Sequence, residues 1–230
     1  MYGIEFKNKN NSLIIAGDER PLQYWGKKVI TFTSNQTKVP LFNLPSTVRC
    51  SFYTVVTSGG GSNYHYLEAV NGKWNLCTRK NITHTVEVYV FTDPKLMPKP
   101  DYGLEVYDAV GVPIFRGNRP LLSVFKIDEC YTDPSGNSNA YSPLITESSK
   151  IAINPFLVWR KSLPEGIGVF KLFDFYTTCY KDGVTYKHGI YMDIVTHIDA
   201  HVSYGTALKM NYPVIDATYY DQFSNLSDFS

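Results

Sequence analysis

The chain contains two copies of one segment, and this repeat constrains its fold more than any other feature. Residues 2–17 read YGIEFKNKNNSLIIAG and residues 102–117 read YGLEVYDAVGVPIFRG, one hundred positions later with no gap. An Arg-Pro-Leu triplet follows each copy, at residues 20–22 and 119–121. The positions that keep their residue across the two copies are Tyr2 and Tyr102, Gly3 and Gly103, Glu5 and Glu105, Arg20 and Arg119, and Pro21 and Pro120. A repeat of this length and order predicts two tandem copies of one structural module.

Each copy has the pattern of a β-hairpin. Apolar and polar residues alternate over 102–107, as in a strand with one buried face. Residues 108–111 supply a turn, and 112–115 return as a second strand. In the first copy the turn is Asn8-Lys9-Asn10-Asn11, and asparagine tolerates left-handed backbone angles.

The remaining segments also have strand character, and none shows a convincing helical period. Asn71-Gly72 and Asp182-Gly183 stand between strand-like runs, where they predict tight hairpin turns. The sequence therefore predicts an all-β fold, made of two tandem antiparallel β-sandwich-like domains that each open with the repeated hairpin.

The prolines mark the expected boundary between these domains. Residues 94–100 contain three prolines, a composition typical of a stiff extended linker. We expect a first domain at 1–94, a linker at 95–100 and a second domain at 101–230. The segment from Tyr219 to Ser230 is rich in Asp, Ser and Asn, and we expect it to be mobile unless a partner orders it.

Composition excludes several classes of function. The chain is 43% hydrophobic and 15% aromatic, which is enough to bury a core. Its net charge is +1 and its basic residues are scattered, so we expect no nucleic-acid binding. The N-terminus lacks the pattern of a signal peptide, and no apolar run is long enough to span a membrane. We therefore expect no membrane insertion, and a protein made in the cytoplasm that stays there unless an assembly carries it out.

The second copy resembles an N-terminal segment of small tail proteins from tailed bacteriophages. The residues that carry this resemblance are Tyr102, Gly103, Glu105, Asp108, Gly111, Phe115, Arg119, Pro120 and Leu121. The first copy departs from the pattern at Asn8-Lys9-Asn10-Asn11. The resemblance implies a non-enzymatic virion component at or near the distal end of a tail, assembled in the bacterial host cytoplasm. Its partners would be other tail proteins and copies of itself, and no cofactor is expected.

A lectin-like module that binds a saccharide on the host surface is the alternative. Exposed aromatic rings stack on sugars, and two predicted hairpins carry several of them. The first candidates are Tyr64, Tyr66 and Trp74; a second set is Tyr176, Tyr180, Tyr186 and Tyr191. The same rings could instead fill the core or an interface.

Sites for metal binding or catalysis are weakly indicated. His197, Asp199 and His201 would share one face of a strand and could bind a metal, but solvent-facing polar residues explain them as well. Asp174, Asp182 and Asp193 could act with Glu165 or Glu147 as catalytic carboxylates, although their spacing does not bring them together. We therefore expect no enzyme activity.

Two further features leave alternatives open. Glu5 with Arg20 and Glu105 with Arg119 recur together, either as ion pairs that brace each hairpin or as two equivalent ligand sites. The four cysteines divide evenly between the halves, so they are either reduced thiols or one disulfide per half.

Overall fold

The computed structural model describes residues 5–7, 13–16, 21–59, 63–79, 82–101, 103–131, 144–166, 169–198, 203–204 and 209–227. The described strands of the first half are β1 (Glu5–Lys7), β2 (Leu13–Ala16), β3 (Gln23–Phe32), β4 (Lys38–Pro45), β5 (Cys50–Ser58), β6 (His65–Val70), β7 (Lys73–Thr78) and β8 (His84–Thr92). Those of the second half are β9 (Glu105–Tyr107), β10 (Pro113–Arg116), β11 (Lys126–Tyr131), β12 (Ile145–Glu147), β13 (Ile151–Ile153), β14 (Leu157–Gly166), β15 (Val169–Asp182), β16 (Thr185–Ile198), β17 (Ser203–Tyr204) and β18 (Lys209–Asp216). A 3-10 helix lies at Pro94–Leu96, and helix α1 spans Ala217–Tyr220. The predicted all-β fold is confirmed.

The two copies of the repeated segment fold into the same hairpin. β1 pairs with β2 and β9 pairs with β10, both antiparallel. The paired residues are Glu5 with Ala16, Phe6 with Ile15 and Lys7 with Leu13 in the first hairpin, and Glu105 with Arg116, Val106 with Phe115 and Tyr107 with Pro113 in the second. Each pair of the second hairpin lies one hundred positions after its counterpart, bulge included. The predicted opening hairpins are therefore confirmed.

The remaining strands also repeat their pairing. In the first half β8 lies between β3 and β5, and β7 lies between β4 and β6. In the second half β18 lies between β11 and β13, and β16 lies between β12 and β15. Chain order is also preserved, with β14 and β17 as additions that lie beyond β15. Each half thus has the strand pairing of one sandwich module.

The turns between paired strands follow the sequence signals. Asn71 and Gly72 both have positive φ, +49° and +74°, as a two-residue hairpin turn of this type requires. Gly183 has φ +60° in the turn between β15 and β16.

The two modules share one continuous sheet. Thr54 of β5 pairs with Ile153 of β13, which joins the strands in the order β3-β8-β5-β13-β18-β11. The Leu122 amide also donates to the Leu22 carbonyl, and Gln23 bridges to Leu121. The Arg-Pro-Leu triplets stand 99 positions apart, and the same offset relates residues 23 to 122 and 54 to 153. When the modules are exchanged, the Thr54–Ile153 pair maps onto itself, and the Leu22–Leu122 and Gln23–Leu121 contacts map onto each other, which is local two-fold pseudosymmetry.

The two faces of this sheet bury different sets of residues. One face packs under β4 and β7 in the first module, where Leu41, Leu44 and Leu76 meet Val88 and Val90. The other face carries aromatic rings of the first module that contact α1. Phe91 and Tyr220 have ring centroids 4.9 Å apart, and Tyr24 lies 5.2 Å from Tyr220. This face of the first module's sheet thus packs in a core that residues of the second module complete.

The segment predicted to be an extended linker is partly packed. Asp93 caps the 3-10 helix by accepting a hydrogen bond from the Lys95 amide at 3.1 Å. Met97 follows with 2% of its surface exposed and packs in the first module's core. An apolar side chain therefore anchors a segment whose prolines alone predict a stiff extended linker.

The C-terminal segment, for which we expect mobility, contacts β3. The Asn225 side chain accepts a hydrogen bond from the Lys27 amide at 2.6 Å, and the Leu226 amide donates to the Trp25 carbonyl at 3.0 Å. These contacts hold residues 225 and 226 along β3, and the mobility that we expect for the segment stays a prediction. Residues 228–230 lie outside the described part of the chain.

Candidate functional site

The second hairpin is anchored by one buried glutamine. Gln23 is fully buried, and its side-chain amide donates to the carbonyls of Arg116 and Arg119 at 2.6 and 2.9 Å. Its Oε1 accepts from the Arg116 amide at 3.0 Å. Leu122 occupies the equivalent position in the second copy and has no side-chain amide to repeat this arrangement.

The ion pair of this hairpin differs from the one we expected. Glu105 pairs with Arg116, Oε1 to Nε at 3.2 Å, and Arg119 instead donates to the Ser224 carbonyl at 2.5 Å. The pairing of Glu105 with Arg119 is therefore wrong, because Arg116 lies directly opposite Glu105 in the hairpin. Position 16 is alanine, so the first hairpin cannot repeat this ion pair. The other predicted member, Arg20, lies outside the described residues.

Replacing Gln23 by alanine should release the second hairpin. We expect a loss of about 2–4 kcal/mol in unfolding free energy, since three buried hydrogen bonds disappear and their backbone partners stay buried. Amide hydrogen exchange should speed up selectively in β9 and β10. The exposed Gln36 provides the control, because its replacement by alanine should change neither quantity. Unchanged exchange in β9 and β10 of Gln23→Ala would rule out the anchoring role.

Two groups of exposed apolar side chains lie in the second half, apart from isolated residues such as Val184. The second hairpin presents Leu104, Tyr107 and Val110, and Val110 is 83% exposed. Phe125 directly precedes β11 and Ile127 lies on it, and their side chains are 58% and 65% exposed. Among the described strands, β11 pairs only with β18. Exposed apolar residues on an edge strand, one side of which has no pairing strand, are typical of a protein contact surface. We call these five residues the apolar patches.

Aromatic rings from both modules meet near β6 and β15. Tyr64 stacks on Tyr66 with centroids 5.7 Å apart and lies 5.2 Å from Tyr176. The Arg79 guanidinium lies over the Tyr64 ring at 5.2 Å and forms an ion pair with the buried carboxylate of Asp174. This aromatic cluster combines ring faces with charged hydrogen-bonding groups, as saccharide sites do.

Some of the predicted saccharide-contact residues do not join this cluster. Trp74 lies on the opposite face of the β6–β7 hairpin from Tyr66, packs against the first core and donates to the Val48 carbonyl at 2.9 Å. Tyr191 joins the cluster through Tyr176, at 6.1 Å. Tyr180 and Tyr186 pack against the two cores instead.

Several predicted site residues cannot be placed. Tyr2, Gly3, Arg20, Asp199 and His201 lie outside the described residues. Tyr102 also lies outside the described residues. Pro21 is half-buried just before β3, and Gly103 and Pro120 flank the second hairpin. His197 pairs with Lys171 in the β15–β16 register, where only the backbone is described. The proposed metal role of His197 and His201 stays a prediction.

The cysteines are free thiols in the structure. Cys77, Cys130 and Cys179 are buried, and Cys50 is half-buried. Burial raises the pKa of the Cys50 thiol to about 12 and that of Cys130 to about 11, so the thiols stay protonated near neutral pH.

Two buried histidines form a hydrogen-bonded pair in the first module. His84 Nδ1 donates to the Ile82 carbonyl at 2.9 Å, so His84 Nε2 accepts from His65 Nε2–H at 3.0 Å. Both rings stack on Phe32. Burial, followed by the neighbouring His84, lowers the pKa of His65 to about 3.

This pair should make the fold sensitive to mild acid. The pKa of His65 in the folded chain lies below the value of about 6.5 for a free histidine, so the unfolded chain gains protons first as the pH falls. The contribution of His65 to the unfolding free energy is therefore complete above pH 6.5, and it decreases as the pH falls from 6.5 towards the pKa of the folded chain. We expect the His65 contribution to fall by about 2 kcal/mol between pH 6.5 and 5. Urea denaturation at pH 7 and 5 measures it, with His65→Gln as the non-titrating control; equal pH dependence of both proteins would contradict the assignment.

Comparison with known proteins gives no further guide to the site. No family model, no curated protein and no solved structure matches the chain significantly. Among the described residues, no helix has the length and apolar character needed to cross a membrane.

Proposed function

We propose that the chain is a structural component of a bacteriophage tail, at the tip, the baseplate or the fibre attachment, and acts through protein–protein contacts. The observation that carries the proposal is the second hairpin. It bears the residues that resemble tail proteins, it is held to the body by Gln23, and it presents Leu104, Tyr107 and Val110 to solvent. An anchored hairpin with an apolar surface suits a fixed contact to a neighbouring subunit.

The doubled module supports the same proposal. Two modules related by pseudosymmetry, on one continuous sheet, offer a rigid subunit with two similar sides. Such a subunit suits a ring or hub whose neighbours meet it at related positions. The proposal includes copies of this chain among the partners and involves no cofactor, catalysis or nucleic acid.

Charge substitutions in the apolar patches test this proposal. Val110→Asp and Ile127→Asp place a carboxylate where we infer a buried contact, so phages that carry them should incorporate less of the protein into purified tails. Quantitative mass spectrometry of the particles measures incorporation. The purified variants should keep the melting temperature of the parent, because both side chains are exposed.

Val184→Asp is the matched control. Val184 is also exposed, but it lies in the turn between β15 and β16, outside the patches. Normal incorporation of all three variants would contradict a contact through the patches. Absence of the parent protein from the particles would contradict the tail assignment itself.

The aromatic cluster favours a second candidate, a module that binds host surface saccharide. Tyr66 is partly exposed next to the Arg79–Asp174 ion pair, where a sugar ring could stack and form hydrogen bonds. A glycan array should then show a defined preference that Tyr66→Ala abolishes and Tyr219→Ala leaves unchanged. An array without saccharide preference would exclude this candidate and leave the structural role.

A further inference from the structure

A polar cluster in the second module has the composition of a metal site. Lys126 and Asp128 lie on β11, Glu147 ends β12, and His188 lies on β16. Tyr212 of β18 is directly opposite Asp128 in the sheet. The Asp128, Glu147 and His188 ligand atoms all lie within 4.8 Å of one another.

The distances within the cluster match ligands of one ion better than hydrogen bonds. His188 Nε2 lies 3.6 Å from Asp128 Oδ2 and 3.5 Å from Glu147 Oε1. Both distances exceed the usual range for a hydrogen bond, and this buried nitrogen has no hydrogen-bond partner. Two ligands of a tetrahedral zinc ion, each about 2.1 Å from it, stand about 3.4 Å apart. The imidazole is therefore placed as a ligand would be, with its free nitrogen toward two carboxylates.

The ring of His188 is held in this orientation. Its side chain is fully buried, and Nδ1 is hydrogen-bonded to the Tyr212 hydroxyl at 2.9 Å. Metal-binding histidines commonly use the second ring nitrogen in this way, which fixes the direction of the first.

A cationic side chain already occupies the space between the carboxylates. The Lys126 ammonium lies 2.9 Å from Asp128 Oδ2 and also contacts Glu147. Lys126 is 28% exposed, so its long side chain can turn toward solvent. The cluster thus attracts positive charge, and the group that now supplies it is able to leave.

We propose that Asp128, Glu147 and His188 bind a divalent transition-metal cation, with Zn²⁺ as the best match, in place of the Lys126 ammonium. One imidazole and two carboxylates form a mixed nitrogen and oxygen set that suits zinc, whereas calcium prefers oxygen ligands alone. The ion would join β12 and β16, which pair with each other, to β11, which pairs with β18. This role is independent of the proposed place in a phage tail.

Calorimetric titration of the 230-residue chain with Zn²⁺, after treatment with a chelator, tests the proposal. We expect one saturable site per chain and a higher melting temperature with zinc. Asp128→Asn and Glu147→Gln should each weaken binding at least about tenfold, since a charged ligand is lost. Lys126→Met should bind zinc more tightly than the parent, because the competing ammonium is gone. Circular dichroism establishes that each variant is folded.

Asp182→Asn is the control, because this exposed carboxylate pairs with Lys187 away from the cluster. It should bind zinc like the parent. Zinc binding that Asp128→Asn and Glu147→Gln leave unchanged would place the ion elsewhere and overturn the proposal. A chain that binds no zinc, even as Lys126→Met, would equally overturn it and leave the cluster as an ion-pair network.

Discussion

Replacing Gly59 by alanine should cost about 3–5 kcal/mol of unfolding free energy, enough to unfold a marginally stable chain. Gly59 directly follows β5 and has φ +86°, a backbone conformation that residues with a Cβ atom disfavour. An added Cβ would lie 2.3 Å from the Thr83 carbonyl oxygen and 2.5 Å from the His84 Cα. Both are backbone atoms at the start of β8, so relief requires moving a strand of the shared sheet. Thermal and urea denaturation measure the loss.

Gly72→Ala separates the steric cost from the backbone cost. Gly72 also has positive φ, +74°, but an added Cβ would meet no atom within 4 Å. We expect a loss of about 1 kcal/mol, from the backbone conformation alone. Equal losses at the two glycines would show that the approach of β8 to Gly59 does not matter.

Replacing Tyr220 by alanine should cost about 4 kcal/mol and destabilise both modules together. The ring is 1% exposed and contacts Tyr24 and Phe91 of the first module. Its hydroxyl donates to the Leu121 carbonyl and accepts from the Ser123 amide, both at 2.7 Å. Because the shared core loses a large side chain, we expect one cooperative unfolding transition at a lower temperature. Calorimetry measures the transition, and hydrogen exchange measures the loss of protection in each module.

Two variants calibrate this result. Tyr220→Phe keeps the ring and should cost about 1–2 kcal/mol, since two backbone groups lose their partner. Tyr219→Ala removes a ring that is partly exposed and should cost less than Tyr220→Ala. A Tyr220→Ala protein whose first module keeps its full hydrogen-exchange protection would contradict the shared core.

The local parts of the fold could be predicted from the sequence. The repeated hairpin followed from alternation and repetition, and the turns at Asn71-Gly72 and Gly183 followed from residues that tolerate positive φ. These signals depend on neighbours along the chain, so one sequence contains them.

The joining of the two modules could not be predicted in this way. The pairing of Thr54 with Ile153 links strands far apart in the sequence, and neither residue differs from an ordinary strand residue. The C-terminal segment has a polar composition, but its backbone and Asn225 supply hydrogen bonds to β3. A polar composition predicts that a segment is solvated, whereas these contacts depend on the surface that a strand distant in the sequence presents.

The candidate sites show the same limit. Arg116 rather than Arg119 pairs with Glu105 because hairpin register overrides the repetition of charges. Trp74 is directed to the core because alternation puts it on the face opposite Tyr66; that signal was present in the sequence once the hairpin was predicted. Asp128, Glu147 and His188 have no motif spacing, and only the sheet brings them together.

Cryo-electron microscopy of purified phage particles is the most direct test of the proposed structural role. We expect density for two sandwich modules on one continuous sheet in the tail, at a ring, the tip or a fibre base. The second hairpin or the β11 edge should be buried there against a neighbouring chain. A tail map that other proteins account for completely, with no density for this chain, would contradict the role.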